Sequence, residues 1–359
     1  MKYIFQNFKL RKLYIFFLFL ALFNIFFSTG ISHSKTFSIT DVELSTPFKI
    51  NFNKNKIIDE GFNQAFNQLV LSIVQYKDQQ KLKQIPLNQI KGMIETFSIK
   101  EEKFIDEIYH IKLNVSFNKK IIFDLLEKKN IFPSLPVKKN IFFLPIILDQ
   151  NGNKIEMFSD NIIHNLWNSN IKKYDLLNYI LPTEDLEDLN IVKKNIKNLE
   201  EFEFSEIVKK YNLENYIISI FFVSSNQIRL LSKISLNNKK AIKNNDIDNI
   251  NFNSREEVKE FIEKLKISFE DYWKSQNEIN TSVKLPLTIS VENSNNIKIY
   301  QFEEKLSNLD LIYNFYIYKF DNKNNIYKII FNGTPSKFLE VMNDNNYKFE
   351  TTNKIWVMK

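Results

Sequence analysis

The sequence predicts an α+β protein made of three small α/β modules in series, the last with the ferredoxin-like order β-α-β-β-α-β. Two kinds of pattern predict this class. Some stretches repeat apolar residues every three or four positions, as helices packed on a core do, and others alternate apolar with polar residues, as half-buried strands do. Both patterns recur along the whole chain of 359 residues, a length that accommodates two or three domains.

Residues 1–34 have the layout of a secretory signal peptide. Four cations and no acid flank an apolar run over residues 13–27, and Ser32 and Ser34 fit a small-x-small cleavage site. Cleavage there would make Lys35 the first residue of a periplasmic chain without stable membrane insertion. The apolar run is shorter than the roughly 20 residues of a membrane span. An uncleaved inner-membrane anchor is the alternative that this segment leaves open.

Residues 35–132 are predicted to form a small β-α-β-β-α module. Its clearest helix carries an apolar stripe through Phe62, Phe66 and Leu69, and its clearest strand alternates apolar and polar residues up to Phe117. The predicted segments are a strand over 37–50, helices over 58–73 and 87–93, strands over 94–100 and 111–117, and a helix over 119–128.

Residues 138–277 are predicted to form a three-layer α/β module. Its apolar run over 141–148 suits a strand covered on both faces, although periodicity alone leaves a buried helix open. Ser254 and Glu257 have the spacing of a capping box ahead of a long helix. The other predicted segments are a turn at 151–152, helices over 160–168 and 202–211, a strand over 176–181, a hairpin of 216–223 and 228–236 across 224–226, and a solvated loop over 237–251.

Residues 283–359 show the ferredoxin-like order most clearly. Thr334 and Pro335 suit the cap and the first position of a helix. The predicted segments are a strand over 285–291, a helix over 299–306, strands over 311–320 and 326–331, a helix over 335–343 and a final strand over 347–357.

Composition excludes several kinds of protein. The formal charge of +7 falls to +3 without the four cations of the signal segment, and only Arg229 and Arg255 remain as arginines. Recognition of phosphates and base edges relies on arginine, so nucleic-acid binding is not expected. The chain has no cysteine, which excludes disulfides and a lipid-modified cysteine.

Several blocks of the chain together resemble a known family. The blocks are residues 61–69, 93–102, 111–117, 144–148, Trp167, 181–188, and Tyr211 ahead of 217–223. They are similar to successive blocks of an uncharacterised proteobacterial envelope family, domain of unknown function 2066, and the resemblance covers essentially the whole chain after the signal. It implies an exported accessory protein without catalytic activity, and it supplies no catalytic residues.

One acidic cluster follows a predicted strand, with Glu184, Asp185, Glu187 and Asp188 close together. Carboxylates beyond the end of a strand can hold a cation or act as an acid/base pair. The alternative interpretation is a first helical turn that Thr183 caps, where the helix dipole favours negative charge. We expect capping, and keep Glu184, Asp185 and Asp188 as a candidate surface site.

No other constellation supports catalysis or a cofactor. His110 lies on the polar face of a strand, and His164 stands four residues after Asp160, a spacing typical of a helix-surface pair. His33 lies in the signal segment, and His110 and His164 without any cysteine leave almost nothing from which to build a zinc site. The sequence also lacks a Gly-x-Ser-x-Gly motif and a phosphate-binding glycine loop. We therefore expect no catalytic residues, no metal and no cofactor.

Aromatic residues near the carboxyl terminus give a candidate interface at Tyr316, Tyr318 and Trp356, because tyrosine and tryptophan are enriched at interfaces. The alternative is a strand with one core face and one tyrosine-rich face. The favoured function is a non-catalytic binding or scaffold protein of the cell envelope, with an envelope protein as its partner. The alternative function is a metal-dependent or acid/base hydrolase that uses the cluster from Glu184 to Asp188.

Overall fold

The computed structural model describes residues 36–149, 154–224, 227–247, 250–320 and 322–359. The predicted signal segment 1–34 and the predicted turn at 151–152 lie outside these residues. The structure combines helices with three separate sheets, which confirms the α+β class and its construction from several small modules. None of the helices within these ranges combines the length and the apolar character that crossing a membrane requires.

The first sheet is antiparallel, in the order β1-β3-β2. Helix α1 packs its apolar stripe on one face, where Phe66 meets the ring of Phe117 and Leu113 is fully buried. Asn53 caps α1 by accepting the backbone N–H of Lys56. The elements are β1 (Thr36–Pro47), α1 (Lys54–Ile73), α2 (Tyr76–Gln79), α3 (Leu87–Met93), β2 (Ile94–Ile105), β3 (Ile108–Asn118) and α4 (Lys119–Lys128).

The second sheet has six strands and is covered on both faces. Strand β4 pairs in parallel with β6 and β7, and it is buried from Ile141 to Leu148 because helices cover both of its faces. Phe143 packs toward Trp167 and α8, whereas Phe142 packs toward α6 and α7. The elements are β4 (Lys139–Asp149), β5 (Lys154–Glu156), α5 (Ile162–Trp167), β6 (Leu177–Ile180), α6 (Leu186–Lys194), α7 (Ser205–Lys209), β7 (Tyr216–Val223), β8 (Ile228–Leu236), β9 (Lys239–Ile247) and α8 (Arg255–Gln276).

Proline is rare in a central strand, and the surroundings of Pro145 explain its place in β4. On one side of β4, β6 pairs with residues up to Phe142 and β5 pairs from Ile147 onward, so Pro145 lies between the two partners. The fully buried Asn161 fills this break. Its Nδ2 donates to the carbonyl of Pro145 at 3.1 Å, and its Oδ1 caps α5.

The third sheet has the order β11-β12-β10-β14-β13, with two helices packed on one face. Thr334 caps α10 and Pro335 is its first residue, as the sequence predicted. The elements are β10 (Leu285–Glu292), α9 (Asn296–Asn308), β11 (Ile312–Phe320), β12 (Asn324–Phe331), α10 (Pro335–Asn343), β13 (Phe349–Glu350) and β14 (Trp356–Met358).

Two predicted segments differ from the structure. The predicted loop over 237–251 contains the strand β9, which pairs antiparallel with β8 along its whole length. Its polar side chains suit a solvated edge strand, whose backbone bonds come from β8 whatever its side chains are. The predicted single strand over 347–357 is a hairpin of β13 and β14, and β14 pairs in parallel with β10.

Candidate functional site

The acidic cluster lies at the start of α6. Asp185 is the N-cap, and its Oδ1 accepts the backbone N–H of Glu187 at 2.8 Å and of Asp188 at 3.3 Å. The predicted cap, Thr183, is therefore wrong by two positions. The cluster nevertheless lies at a helix start, as the capping interpretation expected. Glu187 and Asp188 occupy the first turn of α6, where the helix dipole favours negative charge.

Lys210 brings three of these carboxylates together. Its Nζ lies 2.7 Å from Asp188, 2.8 Å from Glu187 and 3.3 Å from Asp185. The hydrogen bond from Lys210 to Asp188 is the largest cause that raises the pKa of the ammonium group. The backbone N–H of Asp188, more than Lys210 itself, lowers the pKa of Asp185. The cluster is thus an ion-pair network that joins α6 to the end of α7.

The arrangement of the four acidic side chains is that of a structural network rather than of a catalytic site. Glu184 points elsewhere and accepts a hydrogen bond from Ser159 Oγ at 3.3 Å. Asp188 is completely buried, and one of its oxygens has no hydrogen-bond partner. Within the ranges that the structure describes, no group of three or more His, Asp or Glu residues is arranged to hold a metal. The ammonium group of Lys210 occupies the position between the carboxylates that a cation would take.

His110 and His164 lie far from each other along the chain and make no common site. Nε2 of His164 lies 2.9 Å from the carbonyl oxygen of Pro182, and Nδ1 is buried without a partner. The predicted helix-surface pair of His164 with Asp160 therefore does not form, because neither ring nitrogen contacts Asp160. His110 lies on the polar face of β3, as predicted, opposite Ser45 on β1.

Tyr316 and Tyr318 lie together on the face of the third sheet that has no helix. Tyr316 pairs with Lys328 on β12, between the core residues Tyr327 and Ile329. The ammonium group of Lys328 lies 4.5 Å from the ring centre of Tyr318. The side chains of Tyr316 and Tyr318 are 49% and 61% exposed. We call this surface the open face; its residues include Thr288, Ser290, Glu292, Tyr316, Tyr318, Ile326, Lys328, Ile330, Glu350 and Val357.

Trp356 lies on the opposite face, so the three aromatic residues predicted as one interface do not form one. Register places Trp356 beside Ile289, which faces the helices, and its ring packs 5.8 Å from that of Phe338 on α10. Three strand spacings also separate β14 from β11. The alternation of strand side chains explains the difference, since Val357 and not Trp356 faces the open side.

Strand β11 also has a free edge. Among the strands described, it pairs with β12 alone. Ile317 and Phe320 add exposed apolar area along it, and Phe320 is 77% exposed. The start of the strand is covered, because Tyr313 Oη donates to Asp124 of α4 at 3.3 Å. The remainder presents unpaired backbone groups beside tyrosine side chains.

A buried pair of charges at the junction of the first two modules was not predicted. Glu270 on α8 accepts the backbone N–H groups of Leu176 and Leu177, at 3.0 and 2.8 Å. Lys274, one turn later, donates to the carbonyls of Leu71 and Val74 at the end of α1. Burial raises the pKa of Glu270 to about 7 and lowers the pKa of Lys274. The four-residue spacing of Glu270 and Lys274 is visible in the sequence, but the burial of their side chains is not.

A second unpredicted feature is an apolar tip at one end of the first sheet. Phe48 contacts Phe104 with ring centres 4.9 Å apart, and Ile50 is fully exposed. The turn from β2 to β3 has positive φ at Asp106 and Glu107. Such a turn usually carries Asn-Gly or Asp-Gly, so Asp-Glu gave no hairpin signal in the sequence.

Comparison of the chain with models of known protein families and with curated proteins found no match.

Proposed function

We propose that the chain is an exported, non-catalytic binding protein of the cell envelope, which holds a partner protein on the open face and free edge of the third sheet. One observation carries the proposal: Tyr316 and Tyr318 are exposed around Lys328, on a strand whose outer edge has no partner among the described strands. Exposed tyrosines give a large contact area at little entropic cost and are enriched at protein interfaces.

Two further observations support this function. The signal-like layout of residues 1–34 supports export to the periplasm. The carboxylates of Asp185, Glu187 and Asp188 surround Lys210, which argues against the hydrolase alternative. A general acid or a metal ligand needs a carboxylate oxygen that is free to reach a substrate or an ion.

Photo-crosslinking in living cells tests this function. The full chain carries benzoylphenylalanine in place of Tyr318, or in place of Tyr300 as the control, because Tyr300 is also exposed but lies on helix α9. We expect an adduct with another envelope protein at position 318 and none at position 300. The adduct should be recovered from the periplasmic fraction, with Lys35 as the first residue of the chain. Equal adducts at both positions, or none at 318, would contradict the proposal.

A further inference from the structure

We infer that the partner contributes an extended segment with alternating apolar and acidic side chains, which adds to β11 as a further strand of the third sheet. This inference rests on the proposed function and names the chemistry of the partner at the same surface. Its basis is the free backbone edge of β11 together with the charge of the open face beside it.

The backbone of β11 supplies the affinity of such a contact. An exposed edge strand presents a row of unpaired N–H and C=O groups, which an extended peptide can satisfy by pairing. The exposed side chains of Tyr316, Ile317 and Tyr318 lie along this edge and would contact alternate side chains of the added strand. Since α4 covers the start of β11 at Tyr313, the segment from Asn314 onward is the part that is open to pairing.

The charge of the surface indicates an acidic partner. Lys328 lies at the centre of the open face, and Lys319 lies on the edge strand. Neither forms an ion pair with any carboxylate in the part of the chain that the structure describes, and strands β11 and β12 carry no acid. The acids on this side of the sheet lie on other strands: Glu292 ends β10, and Glu350 on β13 is paired with Lys359 at 3.4 Å. Two unpaired cations beside apolar side chains complement a segment that alternates carboxylates with apolar residues.

The corresponding face of the first sheet shows the contrast. There Lys112 lies 3.2 Å from Glu43 and 3.7 Å from Glu101, so its charge is already balanced within the sheet. Lys100 is likewise paired with Asp41 at 2.7 Å. A partner would have to break these pairs to gain new ones. The unpaired charge of Lys328 therefore favours the third sheet over the first.

Charge and shape also argue against two other occupants. A second copy of the chain, paired edge to edge, would bring the unpaired Lys319 and Lys328 of each copy to the same junction, where like charges destabilise pairing. Single-stranded nucleic acid needs a positively charged groove along its backbone, and two lysines do not provide one.

Charge reversal combined with crosslinking at position 318 tests the inference in the full chain. We expect Lys328→Glu to lower the adduct yield at least about tenfold, because it places like charges together at a desolvated contact. Lys328→Met should give an intermediate yield. The control is Lys354→Glu, which changes the net charge equally at an exposed residue of the β13–β14 hairpin. Thermal melting of each variant verifies that it folds, and mass spectrometry identifies the linked segment of the adduct.

The possible results separate the inference from the proposed function. A linked segment that alternates apolar and acidic residues, together with the loss of yield in Lys328→Glu alone, supports the inference. An adduct whose yield is unchanged in Lys328→Glu or falls equally in Lys354→Glu overturns the inference but leaves binding at this surface. An adduct that maps to a basic or helical segment of an envelope protein also overturns the inference alone. An adduct that joins two copies or contains nucleic acid overturns both the inference and the proposed function. Absence of any adduct at position 318 overturns the proposed function itself.

Discussion

At the scale of single residues, the role of Asp188 decides how the acidic cluster should be interpreted. Its side chain is completely buried and bonded to Lys210, whereas the side chain of Glu187 is 73% exposed although it contacts the same ammonium group. A buried ionic partner is costly to remove, but an exposed one contributes little. If the cluster is a structural network, substitution of Asp188 should therefore destabilise the fold more than substitution of Glu187.

We expect Asp188→Ala to lower the free energy of unfolding by about 1–3 kcal/mol. Glu187→Ala, the matched control, should change it by less than about 0.5 kcal/mol. Chemical unfolding of the two variants beside the parent chain measures both values. Equal effects of the two substitutions would show that burial does not determine the strength of this network.

Glu270 makes stability depend on pH in a specific window. The groups that act on it are Lys274 and Asp175, and Lys266 and Tyr179 lie close enough to feel its charge. Its pKa is about 7 in the folded chain and 4.5 in the unfolded chain, so the folded state binds more protons between these values. The free energy of unfolding should therefore fall as the pH rises from about 4.5 to 7.

Glu270→Gln should remove this part of the pH dependence, which amounts to roughly 2–3 kcal/mol across the window. The measurement is chemical unfolding of both chains at several pH values between 5 and 8. As the pH rises, the free energy of unfolding of the variant should increase relative to that of the parent chain. A difference that stays constant over this range would mean that Glu270 ionises normally.

Residue-level features could be predicted where they depend on neighbours in the sequence. Ser254 and Thr334 cap their helices as predicted, because a cap bonds to a backbone N–H three residues away. The cap at Asp185 was misplaced at Thr183, since the first helical residue was not known. The contact of Lys210 with Asp188 joins positions 22 residues apart, and no local pattern indicates it.

At the scale of secondary-structure elements, the approach of α1 to the first sheet depends on a glycine. A Cβ at Gly61 would clash with Cδ1 of Leu113 and would lie 3.1 Å from Cδ1 of Leu44. Leu113 is fully buried, so its side chain has little room to move away. A Cβ at Gly92 in α3 would meet no atom within 4 Å. Alanine substitutions at these two helical glycines therefore distinguish the effect of packing on stability from the effect of helix propensity.

We expect Gly61→Ala to lower the free energy of unfolding by about 1–2 kcal/mol, because overpacking outweighs the gain in helix propensity. Gly92→Ala should raise it by about 0.5–1 kcal/mol, since only the propensity gain remains. Thermal and chemical unfolding of both variants test the pair. Stabilisation by Gly61→Ala would show that α1 can move off the sheet at little cost.

Elements with strong periodicity were predictable, and elements defined by their partners were not. The helix α4 has the predicted bounds, because three apolar residues at helical spacing follow its cap. Strand β9 looks like a loop in sequence, since its residues are mostly polar and only its pairing with β8 makes it a strand. The same applies to β14, whose position between β10 and β13 is a property of the whole sheet.

At the scale of the whole molecule, contacts between the sheets could not be predicted. Lys119 of α4 forms an ion pair with Asp310 ahead of β11, and Lys284 pairs with Glu127 at 3.0 Å. Lys274 of α8 donates to the carbonyl of Val74 at the end of α1 at 3.2 Å. These contacts join residues more than a hundred positions apart. The order of elements along the chain predicts each sheet, but it does not indicate how one sheet and its helices pack against another.

Deletion of residues 351–359 tests the unusual end of the third sheet. It removes β14, and with it the buried Met358 and the packing of Trp356 on Phe338. We expect a loss of at least about 3 kcal/mol in the free energy of unfolding, because apolar burial is lost and the edge of β10 is exposed. Removal of Lys359 alone is the control and should have little effect. If the variant without residues 351–359 melted at the same temperature as the full chain, β14 would not belong to the sheet.

Hydrogen exchange of the full chain tests binding at the third sheet most directly. Backbone N–H groups on the free edge of β11 should exchange rapidly in the chain alone, because none of the described strands pairs with them. After addition of the partner captured at position 318, we predict slower exchange in β11 and unchanged exchange at residues 185–210, which contain the acidic cluster. Unchanged exchange in β11, or protection of residues 185–210 instead, would contradict binding at this edge.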